Sequence, residues 1–193
     1  MFNLNTKDKN ELLVLARRSI EHGLRVGKPL HININHYQAP LNEHGACFVT
    51  LTTNTIDTHR QLRGCIGSLE ARRPLVEDVC ENAFASAFHD TRFSPLTPEE
   101  LDDIHIEISV LTPLQEISFT SQEDLLDQIK PFRDGLLLED GYHRGTFLPL
   151  VWEQLPDKYA FLSHLKQKAG LPTGYWSNTL RCYRYHTVVF EEQ

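Results

Sequence analysis

The stretch Leu62-Arg63-Gly64-Cys65-Ile66-Gly67 carries the side chain with the most direct route to covalent chemistry. The thiolate is the attacking form of cysteine, and a neighbouring guanidinium such as that of Arg63 favours it over the thiol. Glycines on either side of Cys65-Ile66 remove side-chain bulk, so the backbone N–H groups at Gly64 and Gly67 are open to close approach by a ligand. The structural alternative is that Gly64 and Gly67 mark a bulge or bend in a buried strand, with Cys65 a small core residue as unbridged cysteines commonly are. A nucleophile also needs a base. His59 and His89 are the candidates, although an exposed or structural role is the commoner reading of either. Asp90 and Arg92 follow, either as ligand-binding groups or as a helix cap and a salt bridge that ties their loop to the cysteine strand.

The other chemistry-bearing residues mainly exclude. Four cysteines, Cys47, Cys65, Cys80 and Cys182, contain no C-x-x-C pair, so neither a zinc ribbon nor a thioredoxin-type motif is present. Ten histidines show no H-E-x-x-H spacing, and no metal is inferred from them. With 19 Lys+Arg against 26 Asp+Glu the formal net charge is −7, which disfavours a general nucleic-acid binder. Arg60, Arg63, Arg72 and Arg73 nevertheless cluster in sequence and suit a small anionic ligand. No segment approaches the ~18 apolar residues of a membrane span, and residues 1–8 lack a signal-peptide stretch. A reduced, cytoplasmic protein that does not enter a membrane is the expectation.

Around these residues the periodicities predict the elements that must position them. Asn5 or Thr6 caps a helix to about Gly23, with Leu12, Leu13, Ala16 and Ile20 on one face. Residues 26–45 read as irregular. Residues 45–53 and 61–67 form a hairpin whose register brings Cys47 near Cys65, without a disulfide. Pro74 opens a helix down to His89, and Cys80 lies on its apolar face with Val76, Val79 and Ala83. Ile104, Ile106, Ile108 and Val110 alternate with polar residues as a strand. Ser121 with Asp124 caps a short helix, and a second hairpin turns at Asp140-Gly141. A helix from Pro156 stops at Gly170, and one last strand runs over 180–191. The absence of repeats and long linkers makes residues 1–193 a single domain.

Taken with His89-Asp90-Thr91-Arg92-Phe93-Ser94-Pro95-Leu96, the LRGCIG segment resembles the AMMECR domain family, known in prokaryotes as AmmeMemoRadiSam system protein A. The resemblance continues through Pro98-Glu99-Glu100-Leu101, Ile108-Ser109-Val110-Leu111-Thr112, Gly145-Thr146-Phe147-Leu148-Pro149 and Lys168-Ala169-Gly170-Leu171. It implies an α+β protein, a largely antiparallel sheet packed by helices, with a larger and a smaller lobe sharing a cleft lined by LRGCIG. Arg63, Gly64, Cys65, Gly67, Asp90, Arg92, Phe93 and Lys168 match positions of the family's segments. Ser94 stands where the family has a proline, which frees one φ and removes no reactive group. The resemblance also implies work beside Memo-family and radical SAM proteins. Two functions fit: an enzyme with Cys65 as nucleophile or thiol carrier and Arg63 and Arg92 orienting an anion, or a regulatory module docking a partner segment or nucleotide in the same cleft. RNA binding is disfavoured by the charge and by the lack of an aromatic RNP-type strand.

Overall fold

Asn5 accepts a hydrogen bond from the Asp8 N–H while Asp8 returns one to the Asn5 N–H, a reciprocal cap that starts helix α1 (Thr6–Val26). The structure, a computed structural model, describes residues 4–54 and 60–193. Helix α1 runs one turn beyond Gly23 and stops at Gly27, whose φ of 72° lies in the left-handed region. Gly23 is instead a contact: a Cβ there would meet the Phe88 ring at 2.4 Å. The helix therefore ends at Gly27 and not at the expected Gly23.

The chain forms two compact units, Met1–Leu111 with Val188–Gln193, and Thr112–Thr187. The first unit contains β1 (His44–Gly45), β2 (Cys47–Asn54), β3 (Arg60–Gly67), β4 (Arg73–Pro74), α2 (Leu75–Phe88) and β5 (Ile104–Leu111). β1 and β4 pair with each other, while β2 pairs antiparallel with both β3 and β5. Cys47, Val49 and Leu51 of β2 and Ile106, Ile108 and Val110 of β5 are fully buried in one core with the apolar faces of α1 and α2. Alternation then leaves Phe48, Thr50 and Thr52, with His105, Glu107 and Ser109, on the opposite face of the sheet.

The second unit holds β6 (Gln115–Ile117), α3 (Gln122–Gln128), β7 (Gly135–Asp140), β8 (His143–Phe147), α4 (Lys158–Lys168) and β9 (Arg181–Tyr185). Its sheet has the order β6-β9-β7-β8, with each neighbouring pair antiparallel. Trp152 stacks on Phe161 at 3.6 Å and donates its indole N–H to the Asp134 carbonyl, anchoring a separate core. The single C-terminal strand expected over 180–191 is broken at His186: β9 belongs to this sheet, whereas β10 (Thr187–Glu191) joins the first unit's sheet beside β5. The protein is thus an α+β fold of antiparallel sheets packed by helices, as expected.

Candidate functional site

Between Leu51↔Gly64 and Thr52↔Leu62 the β2–β3 register slips by one residue, leaving Arg63 without a partner on β2. This is a β-bulge, which re-aims the side chain at the extra position. Gly64 follows because the strand lies against α2 here: a Cβ on Gly64 would stand 2.2 Å from the Ser86 carbonyl oxygen. Gly67 is equally close, at 2.4 Å from the Cys47 carbonyl oxygen. Both glycines therefore serve backbone packing, in line with the structural alternative for them. Ser86 fastens the contact by accepting from the Ile66 N–H at 2.9 Å and donating to the Val49 carbonyl at 2.7 Å.

Cys65 sits just past the bulge, half-buried, opposite Thr50. Its N–H donates to Asp90 Oδ2 at 2.8 Å, and its carbonyl accepts from Arg92 Nη2 at 3.4 Å. Asp90 and Arg92 are themselves joined by two bonds, at 2.7 and 2.9 Å, so one carboxylate–guanidinium pair grips both ends of the residue. The Thr50 hydroxyl donates to Cys65 Sγ at 3.4 Å. Asp90 is 6% exposed, and its carboxyl is held well below the usual range, first by the Arg92 guanidinium and then by the Cys65 and Arg92 N–H groups. Cys47 does not face Cys65. It is buried on the other face of the sheet, bonded through its N–H to Asp78 and contacted at its sulfur by Asn82.

Arg63 is turned to a neighbour, not to the thiol. Nε and Nη2 bind Glu100 at 2.7 and 3.1 Å, and Nη2 also reaches the Ser94 carbonyl at 3.0 Å. Its Nη1 is buried without a hydrogen-bond partner, as is the Thr52 hydroxyl on the other strand of the slip. Phe93 lies beneath both guanidiniums, 5.9 Å from Arg63 and 5.4 Å from Arg92. Arg60 pairs with Glu191. Arg72 pairs with Glu70 and Arg73 with Asp78, so each arginine of the expected cluster, like Arg92, already has a carboxylate, and an anion bound beside Cys65 competes with Glu100, Asp90 or Glu191.

Of the candidate bases, His89 is exposed with its ring edge-on to Phe84, and no hydrogen bond links it to Cys65. His59 lies outside the described residues. Lys168 belongs to the second unit, where its ammonium lies over the Phe147 ring at 5.0 Å. No group of three or more His, Cys, Asp or Glu that could hold a metal occurs among the described residues. A cavity of ≈ 790 Å³ beside α1, lined by Arg17, Arg18, Glu21, Asp102, Asp103 and Glu192 among others, shares no residue with the Cys65 site. Sequence reasoning did not identify Thr50, Ser86, Glu100 or Glu107 as part of this region. Thr50 and Glu107 follow from strand register; Ser86 carries no local signal, and Glu100 is marked only by its place in the Pro98-Glu99-Glu100-Leu101 segment.

The sheet, bulge and gripped thiol define an α+β protein with one partly exposed cysteine set in a rigid strand. The chain belongs to the AMMECR1 family, whose model matches residues 13–190. It is 38% identical to protein MJ0810 from Methanocaldococcus jannaschii, over 98% of this chain and 92% of that protein. It is 39% identical to protein LS215_2104 from Saccharolobus islandicus, over 98% of this chain and 83% of that one. The crystal structure of the uncharacterized protein PH0010 from Pyrococcus horikoshii superposes with a TM-score of 0.87 at 36% identity, covering 100% of this chain and 95% of that one.

Proposed function

We propose that the protein is a thiol-dependent enzyme acting on a small molecule or in a modification step, with Cys65 as the group that bonds to substrate and Memo-family and radical SAM proteins as its working partners. The observation that supports this is the treatment of one thiol against the other three. Cys47, Cys80 and Cys182 are buried, and burial pushes Cys80 and Cys182 up to about 12 and Cys47 well above its usual value. Cys65 alone of the four is only half-buried, and its peptide group is fixed at both ends while a hydroxyl donor meets its sulfur. Fixing the nucleophile before substrate arrives is the kind of preorganisation that covalent catalysis uses. The partners rest on the family resemblance alone.

A second reading, a non-catalytic binding or regulatory module, draws on the pairing of Arg63 and Arg92 with carboxylates and on the lack, among the described residues, of a histidine bonded to the thiol. Native mass spectrometry of the protein purified from cells with its neighbours separates the two. A covalent mass addition that maps to Cys65 and disappears in Cys65→Ser is expected for the enzyme. Retention of all partner-dependent function by Cys65→Ser would favour the module.

A further inference from the structure

Strand register places three polar side chains in a row across the sheet. Cys65 is opposite Thr50, and Thr50 is opposite Glu107. All three lie on the face turned away from α1 and α2, because the flanking Val49, Leu51, Ile106 and Ile108 are buried in the helix-packed core. Opposed residues stand with Cβ atoms about 5 Å apart, so the thiol and the carboxyl flank Thr50 roughly 10 Å apart at the backbone. No hydrogen bond or ion pair reaches the Glu107 carboxylate from a described residue. Glu107 is half-buried, and desolvation pushes its pKa up, with the Glu191 carboxylate adding to the effect and Arg60 and His105 opposing it. A carboxylate desolvated with no donor from the described residues is unfavourable for folding and well suited to accepting a proton.

We propose that Glu107 is the acid–base residue of the Cys65 site, and that the site carries out acyl transfer from a small acyl donor held over Thr50. This rests on the reading of Cys65 as the reacting thiol. The Cys65 thiol releases its proton to solvent, the thiolate attacks the acyl carbon, a sulfur–carbon bond forms, and the bond from that carbon to the leaving group breaks, the leaving group departing as an anion with the proton released to solvent as its balance. In the second half, the Glu107 carboxylate takes a proton from water as the water oxygen attacks the thioester carbon. The carbon–sulfur bond then breaks, and the protonated Glu107 returns its proton to sulfur, so that thiol and carboxylate are restored. No oxidant or reductant is needed.

p-Nitrophenyl acetate is the probe. Wild type should release about one equivalent of p-nitrophenolate in a burst, carry an acetyl group on Cys65 by peptide mapping, and turn over slowly at a rate that rises with pH through the Glu107 ionisation, which burial displaces upward from its usual value. Glu107→Gln should keep the burst, slow deacetylation about a hundredfold and lose that pH dependence, with Glu107→Asp retaining part of both. A purely structural residue would not move the pH profile selectively. Deacetylation of a folded Glu107→Gln at the wild-type rate and with the wild-type profile would overturn the role of Glu107 while leaving Cys65 as the reacting thiol. A folded wild type with no burst and no acetyl-Cys65 would overturn the thiol reading itself.

Discussion

Asp90 satisfies four donors with two oxygens: the Cys65 N–H, the Arg92 N–H and the Nε and Nη2 groups of the Arg92 guanidinium. Asp90→Asn turns one acceptor into a donor facing donors, and should cost about 2 kcal/mol in urea unfolding at pH 7. Because the folded-state pKa of Asp90 is depressed, its contribution is fully present above the unfolded value near pH 4 and is lost as pH falls towards the folded value. The stability gap between wild type and variant should therefore hold constant from pH 7 to pH 5 and close in acid. Glu107 works in the opposite sense. Its raised pKa means that the folded state disfavours the charged form, a cost present above the folded pKa and absent once the group is protonated. Glu107→Gln should accordingly melt higher than wild type at pH 8 and equally at pH 4. The residues that mark the site in sequence, Cys65, Asp90, Arg92 and Phe93, do meet in space. Their roles were less legible, because Arg63 was read as a neighbour of the thiol along the chain, and a bulge sends it to Glu100 instead.

Strand β3 is shaped by its contact with α2, which makes the element sensitive at one atom. Gly64→Ala puts a Cβ against the Ser86 carbonyl and must part β3 from α2, with a cost of about 2 kcal/mol and loss of the Ser86 bridges to Ile66 and Val49. Heteronuclear NMR should show shifts along residues 60–67 and 84–90 while the second unit's resonances stay in place. The amphipathic helices α1 and α2, the β2–β3 hairpin and the alternating β5 were visible as sequence patterns, because each buries one face against a single core. The end of α1 is not legible at Gly23, because the small residue there serves ring packing against Phe84 and Phe88, not chain reversal. The C-terminal strand was read as continuous because β propensity persists through His186 and nothing local records that Arg181–Tyr185 and Thr187–Glu191 pair with different sheets. Hairpin counting gives Cys47 and Cys65 proximity along strands, but alternation sends them to opposite faces.

At the scale of the whole chain, each unit has its own core, and each core contains buried cysteine: Cys47 and Cys80 in one, Cys182 in the other. Their thiols therefore report unfolding of the units separately. The single-domain expectation predicts that Cys80 and Cys182 become alkylatable at the same urea concentration; two midpoints would divide the chain at residues 111–112 and 187–188. The α+β class was legible at this scale because periods of 3.6 and 2 alternate along the chain. The central claim, that Cys65 is the functional thiol, is tested most directly by brief iodoacetamide treatment of the native protein at neutral pH followed by peptide mapping. Cys65 should be modified before any label appears on Cys47, Cys80 or Cys182. Modification of Cys65 no faster than that of the buried three would contradict the account.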